Sequence, residues 1–352
     1  MNKWYENPGD DSDVVLSTHV SLSRNLDGVP FPARMSLSDR RAVWDRIRSA
    51  AQRRNSSVSG RFAAIGLEDV SELEAVSFAE RGLISADAVS RRTGGGLLMT
   101  ADESLSAEVN GEDHLLIRAQ AAGLCMEKVY AAADGLDTFF GHTLPISFDP
   151  QLGFLTQNPF RLGTGMIVSL RLHLPALRRS GSLRRISRNL SKLGLSLHGV
   201  HGPEAEPLGA VYRLVNRVTL GISEREAIAN LSSMAGQIID RERELQKTFA
   251  ADLGFQDTVW RDLGILRNAR LLSYREFMER AGEIRAGIVA GLVRGIGIVG
   301  LDSLAVRVRP ATLALENGCP CLSEKGKELR ARLVRGMLSP QREDSDGTGK
   351  KG

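Results

Sequence analysis

Apolar and polar residues alternate near the start of the chain and then change period. Between Val14 and Leu22 the apolar residues fall largely at every second position, which is typical of a β-strand with one buried face. After Ser38, a residue type that caps helices, apolar residues recur at helical spacing. The predicted buried face of this helix consists of Val43, Trp44, Ile47, Ala50 and Ala51. A polar, glycine-rich passage over 90–108 then predicts a turn between strands.

Helical spacing dominates the second half of the chain. The clearest long helix is predicted over 222–253, where Ser223 and Glu226 form a capping box. Ser273, with a glutamate three positions later, repeats this start signal, and Ser323 opens a further helix. Strands and helices are mixed before about residue 220, whereas the chain is mostly helical after about residue 250. We therefore predict the α+β class, with a sheet-containing domain followed by an α-helical one.

This change of pattern gives the domain boundaries. We predict an N-terminal segment at 1–13, a mixed domain over 14–248 and a helical C-terminal domain over 256–338. The residues over 339–352 are polar and rich in glycine and charge, so we expect a disordered tail.

Composition and charge restrict the function classes. The chain has 46 basic and 42 acidic residues, a net charge of +4, and of the basic residues eight are lysine and 38 arginine. Since the net charge is small and aromatic residues make up only 5%, we expect no nucleic-acid partner. The most apolar stretch, 286–301, is interrupted by Arg294 and is shorter than the roughly 20 residues that a membrane span requires. We therefore expect no membrane partner.

Cysteine usage and the N-terminal sequence indicate a compartment. Cys125, Cys319 and Cys321 are an odd number, and the last two are too close in sequence for an ordinary structural disulfide. No second pair stands at zinc-ligand spacing, so we predict no metal site. The first residues carry an acidic polar run where a signal peptide needs an apolar core. We therefore predict a cytoplasmic protein.

Two short motifs carry candidate chemistry. Asn110 to His114 places two carboxylates and an imidazole together, and such groups could act as base, acid or metal ligands. A charged turn at the end of a strand is the more frequent explanation of such a motif. Leu162 to Gly165 could let backbone amides approach a phosphate, because glycine has no Cβ. Such turns occur in any fold, so this motif alone is a weak signal.

Several separated stretches nevertheless follow one another in a specific order. They are Asp11–Thr18, Arg24–Leu26, Asn110–His114, Leu152–Thr156, Gly163–Gly165, Leu172–Leu177, Leu208–Gly209 with Glu206 before it, and Asn216–Gly221. Over about residues 4–250 this series resembles the ATP:guanido phosphotransferase family, specifically the bacterial protein-arginine kinases. The resemblance extends more weakly through the helical region, which in that family dimerises and binds phosphoarginine.

The resemblance implies a fold and a reaction. The implied fold is the guanido-kinase or glutamine-synthetase-like catalytic fold, a large antiparallel sheet flanked by helices, followed by the helical domain. The implied reaction moves the γ-phosphoryl group of Mg-ATP to a guanidinium nitrogen of protein arginine. Five arginines of the family clamp the nucleotide phosphates, because planar guanidinium groups can meet phosphate oxygens bidentately. Two glutamates hold the acceptor guanidinium, and a cysteine lies beside it.

This sequence departs from the family at nearly all of those positions. The five clamp arginines fall on His19, Ser21, Leu116, Ile167 and His198. Of the guanidinium-binding pair Glu112 is retained, whereas its partner falls on Pro203, and the cysteine falls on Asn158. The family-equivalent nucleotide-binding positions are Thr18, His19, Val20, Ser21, Leu22, Gly82, Leu116, Ile167, Val168, Ser169, Leu170, Arg171, His198, Gly199, Val200, His201 and Gly202.

The number of lost contacts decides the interpretation. A hydrogen bond to a charged group contributes roughly 1.5–3 kcal/mol, so losing five arginine clamps would cost many orders of magnitude in affinity or rate. We therefore interpret the chain as a pseudokinase, a scaffold or regulator that forms a homodimer through its C-terminal helices. Its expected protein partner is quality-control machinery or an active kinase. In the C-terminal phosphoarginine motif Gly326 and Lys327 replace the family residues, whereas Arg330 and Ala331 are retained.

An active, divergent kinase is the alternative hypothesis. Arg118 and Arg171 follow two of the clamp positions along predicted strands, and Arg24 lies near the first strand. These side chains could rebuild a shifted anion site, and His19 and His198 could add charge at lower pH. Mg-ATP is the expected cofactor only in this case.

Overall fold

The computed structural model describes residues 2–52, 61–200, 207–318 and 323–339. The strands are β1 Val15–Arg24, β2 Phe62–Gly66, β3 Gly96–Thr100, β4 Leu105–Val109, β5 Leu115–Ala122, β6 Phe148–Asp149, β7 Gly153–Phe154, β8 Met166–His173, β9 Leu195–Gly199 and β10 Val211–Asn216. The helices are α1 Leu37–Gln52, α2 Glu72–Glu80, α3 Ala86–Ser90, α4 Met126–Thr143, α5 Pro175–Arg179, α6 Leu183–Lys192, α7 Glu224–Phe249, α8 Leu253–Asn268, α9 Tyr274–Val289, α10 Ile298–Arg307, α11 Pro310–Asn317 and α12 Glu324–Leu338.

Eight strands form one antiparallel sheet in the order β2-β3-β4-β5-β1-β8-β10-β9. The predicted opening strand is confirmed as β1, which lies between β5 and β8 near the middle of the sheet. Since side chains alternate between the two faces of a strand, β1 sends Val20 and Leu22 into the core and His19 and Ser21 to the other face. The α+β prediction is confirmed, and β1 is the centre of the region that holds the candidate site.

Helices cover one face of the sheet. The largest apolar cluster joins buried residues of β1, β5 and β8 to α1, α4 and α7. The predicted buried face of α1 is correct, although its cap is Ser36, whose Oγ accepts a hydrogen bond from the amide of Asp39. Burial of apolar surface contributes about 25 cal/mol per Å² and stabilises the packing of these helices on the sheet. The opposite face of the central strands remains available to the site.

Helices α8 to α12 form a second apolar cluster. Arg285 of α9 is buried and ties this cluster to the sheet domain, because it donates to the carbonyl of Asp13 at 2.9 Å and pairs with Asp302 at 2.9 Å. Glu80, the last residue of α2, accepts hydrogen bonds from the first amides of α11, those of Ala311 and Thr312. The helical region therefore packs directly against the sheet domain.

Of the remaining local predictions, the helix caps are confirmed and one turn is wrong. The capping box of Ser223 and Glu226 is confirmed at the start of α7, and Ser273 and Ser323 cap α9 and α12. The single turn predicted over 90–108 is wrong, since this passage contains both β3 and β4. Along the described ranges no helix has the length and apolar character needed to cross a membrane. The tail beyond residue 339 and the cysteine pair at 319–321 lie outside the described residues.

Candidate functional site

The alternation of β1, β5 and β8 sorts the family-equivalent positions into two groups. Thr18, Val20, Leu22, Val168 and Leu170 are buried on the helix-covered side. The hydroxyl of Thr18, for example, donates to the carbonyl of Gly123 at 2.6 Å. The other group lines a cavity of about 150 Å³ and comprises His19, Ser21, Gly82, Ile167, Ser169, Arg171 and Val200. Of the positions in these two groups, the second group is the one that faces a cavity.

The residues at the positions to which the resemblance assigns the five clamp arginines do not fit the phosphates of a nucleoside triphosphate. His19, Ser21 and Ile167 line the cavity, Leu116 is a buried aliphatic residue of β5, and His198 lies on β9 with its Nδ1 2.7 Å from the carbonyl of Gly199. None of these side chains supplies a guanidinium fork for phosphate oxygens.

His19 does not supply a positive charge either. Burial, followed by the charges of Arg171 and Arg213, lowers its pKa well below the ordinary value of 6.5. Its Nε2 lies 2.7 Å from Oγ of Ser17. The expectation that this imidazole adds charge at lower pH is therefore wrong, because neighbouring cations and burial both disfavour protonation.

Arginines occupy other positions on the same face. Arg118 and Arg171 line the cavity together with Arg213 of β10. In the register of the sheet, Arg171 stands directly opposite Arg213, and Arg118 stands opposite Ser21. Arg118 is partly neutralised, because its Nη2 donates to Oε2 of the buried Glu108 at 2.8 Å. This face therefore carries cations on β5, β8 and β10, at positions other than those that the resemblance assigns to the clamp.

Arg24, the third candidate for a rebuilt site, does not face this cavity. It is 2% exposed, pairs with Asp137 through Nη2 at 2.6 Å, and lies over the ring of Phe154. Arg24 lies three residues after Ser21 on β1, so the two side chains are on opposite faces of the sheet. The expectation that Arg24 rebuilds the anion site is therefore corrected: it is a structural residue.

Glu112, the retained carboxylate, is engaged by its own chain. Asn158 donates from Nδ2 to Oε1 of Glu112 at 3.1 Å. Nε of Arg161 lies 3.6 Å from Oε2, and Nη1 of Arg161 donates to Oγ of Ser23 at 3.1 Å. Burial lowers the pKa of Arg161, and the charge of Glu112 acts in the opposite direction. Pro203, with His201 and Gly202, lies outside the described residues.

The other members of the acidic motif are structural. Asp113 accepts hydrogen bonds from Nδ2 of Asn25 at 2.7 Å and from the amide of Gln157 at 2.9 Å. Nδ1 of His114 accepts from the amide of Leu26 at 3.0 Å, so its protonated Nε2 faces a backbone carbonyl. Burial lowers the pKa of His114. The charged-turn interpretation therefore holds for these two residues, and over the described stretches of the chain no cluster of three or more His, Cys, Asp or Glu could hold a metal ion.

The glycine turn serves backbone packing. Gly163 has a φ of +99°, and a Cβ there would overlap the carbonyl oxygen of Thr219. The amide of Thr164 donates to that same carbonyl at 2.9 Å. The expectation that this turn offers free amides to a phosphate is thus corrected for Thr164, whose amide is already used. Glycine is required there because two backbone segments meet.

The retained residues of the C-terminal motif lie inside the helical region. Arg330 is 3% exposed, and it donates from Nε to the carbonyl of Val308 at 2.8 Å and from Nη1 to that of Leu272 at 3.0 Å. Ala331 is fully buried in the same cluster. These contacts hold α12 against the ends of neighbouring helices, a role that the sequence motif did not reveal.

Three arginines near the site were not predicted from the sequence. Arg161 and Arg213 lie near residues that the motifs single out, but the pairing of β8 with β10 is needed to bring Arg213 beside Arg171. Arg309, which precedes α11, is brought close only by tertiary packing. The alternation over 211–216 was the one available signal, since it places Arg213 on a strand face.

Family models match most of the chain. The C-terminal catalytic domain of ATP:guanido phosphotransferase matches residues 42–245, and the C-terminal domain of the protein-arginine kinase McsB matches residues 252–348. A protein-arginine kinase of Symbiobacterium thermophilum is 34% identical over 341 residues, which cover 96% of this chain and 97% of the relative. A protein-arginine kinase of Shouchella clausii is 31% identical over 348 residues, which cover 98% and 97%.

Solved structures share the fold at lower identity. A lombricine kinase structure has a TM-score of 0.58 at 20% identity and covers 67% of this chain and 68% of that one. The duplicated taurocyamine kinase from Schistosoma mansoni has a TM-score of 0.59 at 21% identity, over 77% of this chain and 40% of that one. These similarities agree with the large antiparallel sheet flanked by helices described above.

Proposed function

Since the chain belongs to the ATP:guanido phosphotransferase family and its curated relatives are named protein-arginine kinases, we propose that it is a pseudokinase. In this proposal it keeps the fold and the acceptor carboxylate but does not transfer a phosphoryl group to arginine. It acts instead as a scaffold or regulator for a protein partner in the cytoplasm. The observation that carries the proposal is that both carboxylate oxygens of Glu112 face side chains of the same chain.

Glu112 lies within ion-pair range of a guanidinium of its own chain and accepts a hydrogen bond from Asn158. Its two carboxylate oxygens face Asn158 and Arg161 at 3.1 and 3.6 Å. An acceptor arginine needs the same oxygens, because a carboxylate binds a guanidinium through both of them. It would have to displace Arg161, which is also held by Ser23. This arrangement favours an internal contact over capture of an acceptor.

The donor side of the site supports the same proposal. Phosphoryl transfer depends on positioning and on neutralising the charge that develops on phosphate oxygens. The five positions that supply this charge in the family here bear imidazole, hydroxyl or aliphatic side chains. Even one charged hydrogen bond contributes roughly 1.5–3 kcal/mol, so the combined loss removes most of the stabilisation that the reaction requires.

A direct transfer assay tests the proposal. Purified full-length protein is incubated with magnesium and [γ-³²P]ATP and an arginine-rich acceptor protein, and acid-labile phosphoarginine is measured. We expect none above the level of a Glu112→Ala variant. A relative named protein-arginine kinase, assayed in parallel, checks that the conditions suit the acceptor. Phosphoarginine that forms with the unaltered chain and disappears in Glu112→Ala would falsify the proposal.

A divergent kinase is the second candidate, and one observation favours it. Arg118, Arg171 and Arg213 line the same cavity as three former clamp positions, so a phosphate could meet cations there. Isothermal titration of the unaltered chain and of Arg213→Met with millimolar Mg-ATP tests this candidate. Saturable binding that weakens in the variant supports this candidate, whereas an absence of binding removes it.

Self-association is part of the main proposal. In the family that this chain resembles, the helical region dimerises, and here α8 exposes Leu253 and Trp260, with Leu271 just beyond it. Exposed apolar residues on one element fit contact with a second copy. Light scattering after size exclusion should give the mass of a dimer, and Trp260→Glu should shift it towards the monomer. A monomeric mass for the unaltered chain at micromolar concentration contradicts this part of the proposal.

A further inference from the structure

A second and larger cavity lies between the sheet domain and the helical region. Its volume is about 500 Å³, within the range of cavities that hold small organic ligands. The walls come from both ends of the chain, with Tyr5 from the N-terminal segment, Leu16 from β1, Met278 from α9 and Val306 from α10. Arg171 and Val200 line this cavity as well as the smaller one. We call the larger space the interdomain cavity.

Arginines that have no counter-ion among the described residues stand at the junction of the two cavities. Within the described ranges of the chain, neither Arg171 nor Arg213 forms an ion pair or hydrogen bond through its guanidinium. Arg309 lies on the wall of the interdomain cavity with Arg171, and its buried Nε has no hydrogen-bond partner among the described residues. Burial and then the charges of Arg309 and Arg213 lower the pKa of Arg171 to about 9. Crowded, unpaired guanidinium groups are unfavourable unless an anion lies among them.

The carboxylates on the wall of the interdomain cavity do not supply that anion. Glu80 is used by the N-terminus of α11, where it accepts hydrogen bonds from Ala311 and Thr312. Asp302 pairs with Arg285 at 2.9 Å. Both negative groups are therefore already compensated. The positive charge of Arg171 and Arg309 is directed into the cavity without an internal partner among the described residues.

The rest of the wall is apolar and partly aromatic. Beyond the charged junction it is formed by side chains such as Trp4, Tyr5, Met278, Ile298 and Val306. A ligand body placed there would gain about 25 cal/mol per Å² of apolar surface removed from water. The site thus combines a cationic end, suited to several anionic oxygens, with an apolar compartment. That combination excludes inorganic phosphate as the best-fitting ligand and favours an amphipathic anion.

We propose that the interdomain cavity binds an organic phosphate monoester with an apolar body, its phosphate between Arg171 and Arg309 and its apolar part against Met278 and Val306. A phosphate dianion matches this pair better than a carboxylate, because it offers three oxygens and more charge to arginine forks. Arg213 approaches the same phosphate from the small cavity. The inference uses none of the five clamp positions and not Glu112, although it shares Arg171 and Arg213 with the phosphate site of the divergent-kinase candidate.

Titration calorimetry with octyl phosphate, below its critical micelle concentration, tests the inference on the full-length protein. We expect saturable one-site binding that is at least tenfold tighter than binding of inorganic phosphate or of 1-octanol. Arg309→Met and Arg171→Met should each weaken it about tenfold or more, because each removes a charged hydrogen bond. The matched control is Arg307→Met, since Arg307 lies two residues away and pairs only loosely with Glu316 at 3.6 Å. This control should bind like the unaltered chain.

The apolar half is tested separately. Ala305→Phe places a larger side chain on the cavity wall, so it should reduce the advantage of octyl over methyl phosphate while circular dichroism stays unchanged. If octyl phosphate and inorganic phosphate bind with equal affinity, the ligand does not need an apolar body and the proposed amphipathic ligand class is wrong. If 1-octanol binds as tightly as octyl phosphate, the requirement for an anionic group is wrong. If Arg307→Met weakens binding as much as Arg309→Met, the proposed position of the site is wrong. Failure of octyl phosphate to bind a folded protein overturns the inference as a whole.

Discussion

At the scale of single residues, the same residue type serves opposite purposes according to its surroundings. Arg24 is neutralised by Asp137 and buried, so it supports the fold. Arg161 lies 3.6 Å from the carboxylate of Glu112, which the pseudokinase proposal takes as the former acceptor position. Arg171 has neither kind of partner among the described residues and faces two cavities. Sequence position alone therefore says little about an arginine, because its role depends on which carboxylate the fold brings to it.

His19 provides a pH-dependent test at this scale. Its pKa is lowered in the folded state by burial and nearby arginines, so the unfolded chain binds a proton more readily below about pH 6.5. Stability is then fully present above that pH and is lost as pH falls. His19→Gln should remove about 1 kcal/mol of the stability difference between pH 7.5 and pH 5.5, measured by urea unfolding. His142, an exposed histidine of α4, is the control site, and an equal effect of His142→Gln would contradict the argument.

At the scale of secondary-structure elements, register determines the chemistry of the cleft. The period-two alternation correctly predicted a strand at Val14 to Leu22 and hence which side chains leave the core. It could not predict that Arg171 on β8 stands opposite Arg213 on β10, because their pairing depends on the return of the chain across the sheet. The packing role of the glycine turn was not predictable for the same reason. Gly163 meets Thr219, a residue far away in sequence.

The pairing of β8 with β10 yields a stability prediction. Like charges directly opposite each other on neighbouring strands are destabilising, and Arg171 and Arg213 are such a pair. Arg213→Met should therefore raise the free energy of unfolding by about 0.5–1 kcal/mol in anion-free buffer. The measurement is urea unfolding, with Arg217→Met, an exposed arginine just beyond β10, as the matched control. A loss of stability in Arg213→Met would mean that this guanidinium has a stabilising partner.

At the scale of the whole molecule, the sheet domain and the helical region share contacts that the sequence did not predict. The change from mixed to helical pattern near residue 250 correctly indicated two kinds of structure, and the motifs correctly indicated the family. The interdomain cavity was not predictable, because Tyr5, Leu16 and Arg309 come from distant parts of the chain. Local periodicity carries no information on such contacts.

Arg285 gives a test of this coupling. Its guanidinium is buried and joins Asp302 of α10 to the carbonyl of Asp13. Removing one partner of a buried pair costs roughly 3–5 kcal/mol, so Arg285→Met should destabilise the protein by about that amount and separate the unfolding of the two regions. Calorimetry should then show two transitions. Arg261→Met, which removes an exposed pair with Asp257, should leave the profile unchanged; a single unshifted transition in Arg285→Met would contradict the coupling.

Single-turnover phosphoryl transfer tests the central claim most directly. Full-length protein in excess over [γ-³²P]ATP, with magnesium and an arginine-rich acceptor, reveals even very slow transfer. The comparison includes Arg161→Ala, which frees Glu112 from its internal partner. The pseudokinase account predicts no phosphoarginine from either protein, because the clamp positions stay without guanidinium groups. Phosphoarginine from either protein that is lost on adding Glu112→Gln would contradict it and would identify a working, rearranged active site.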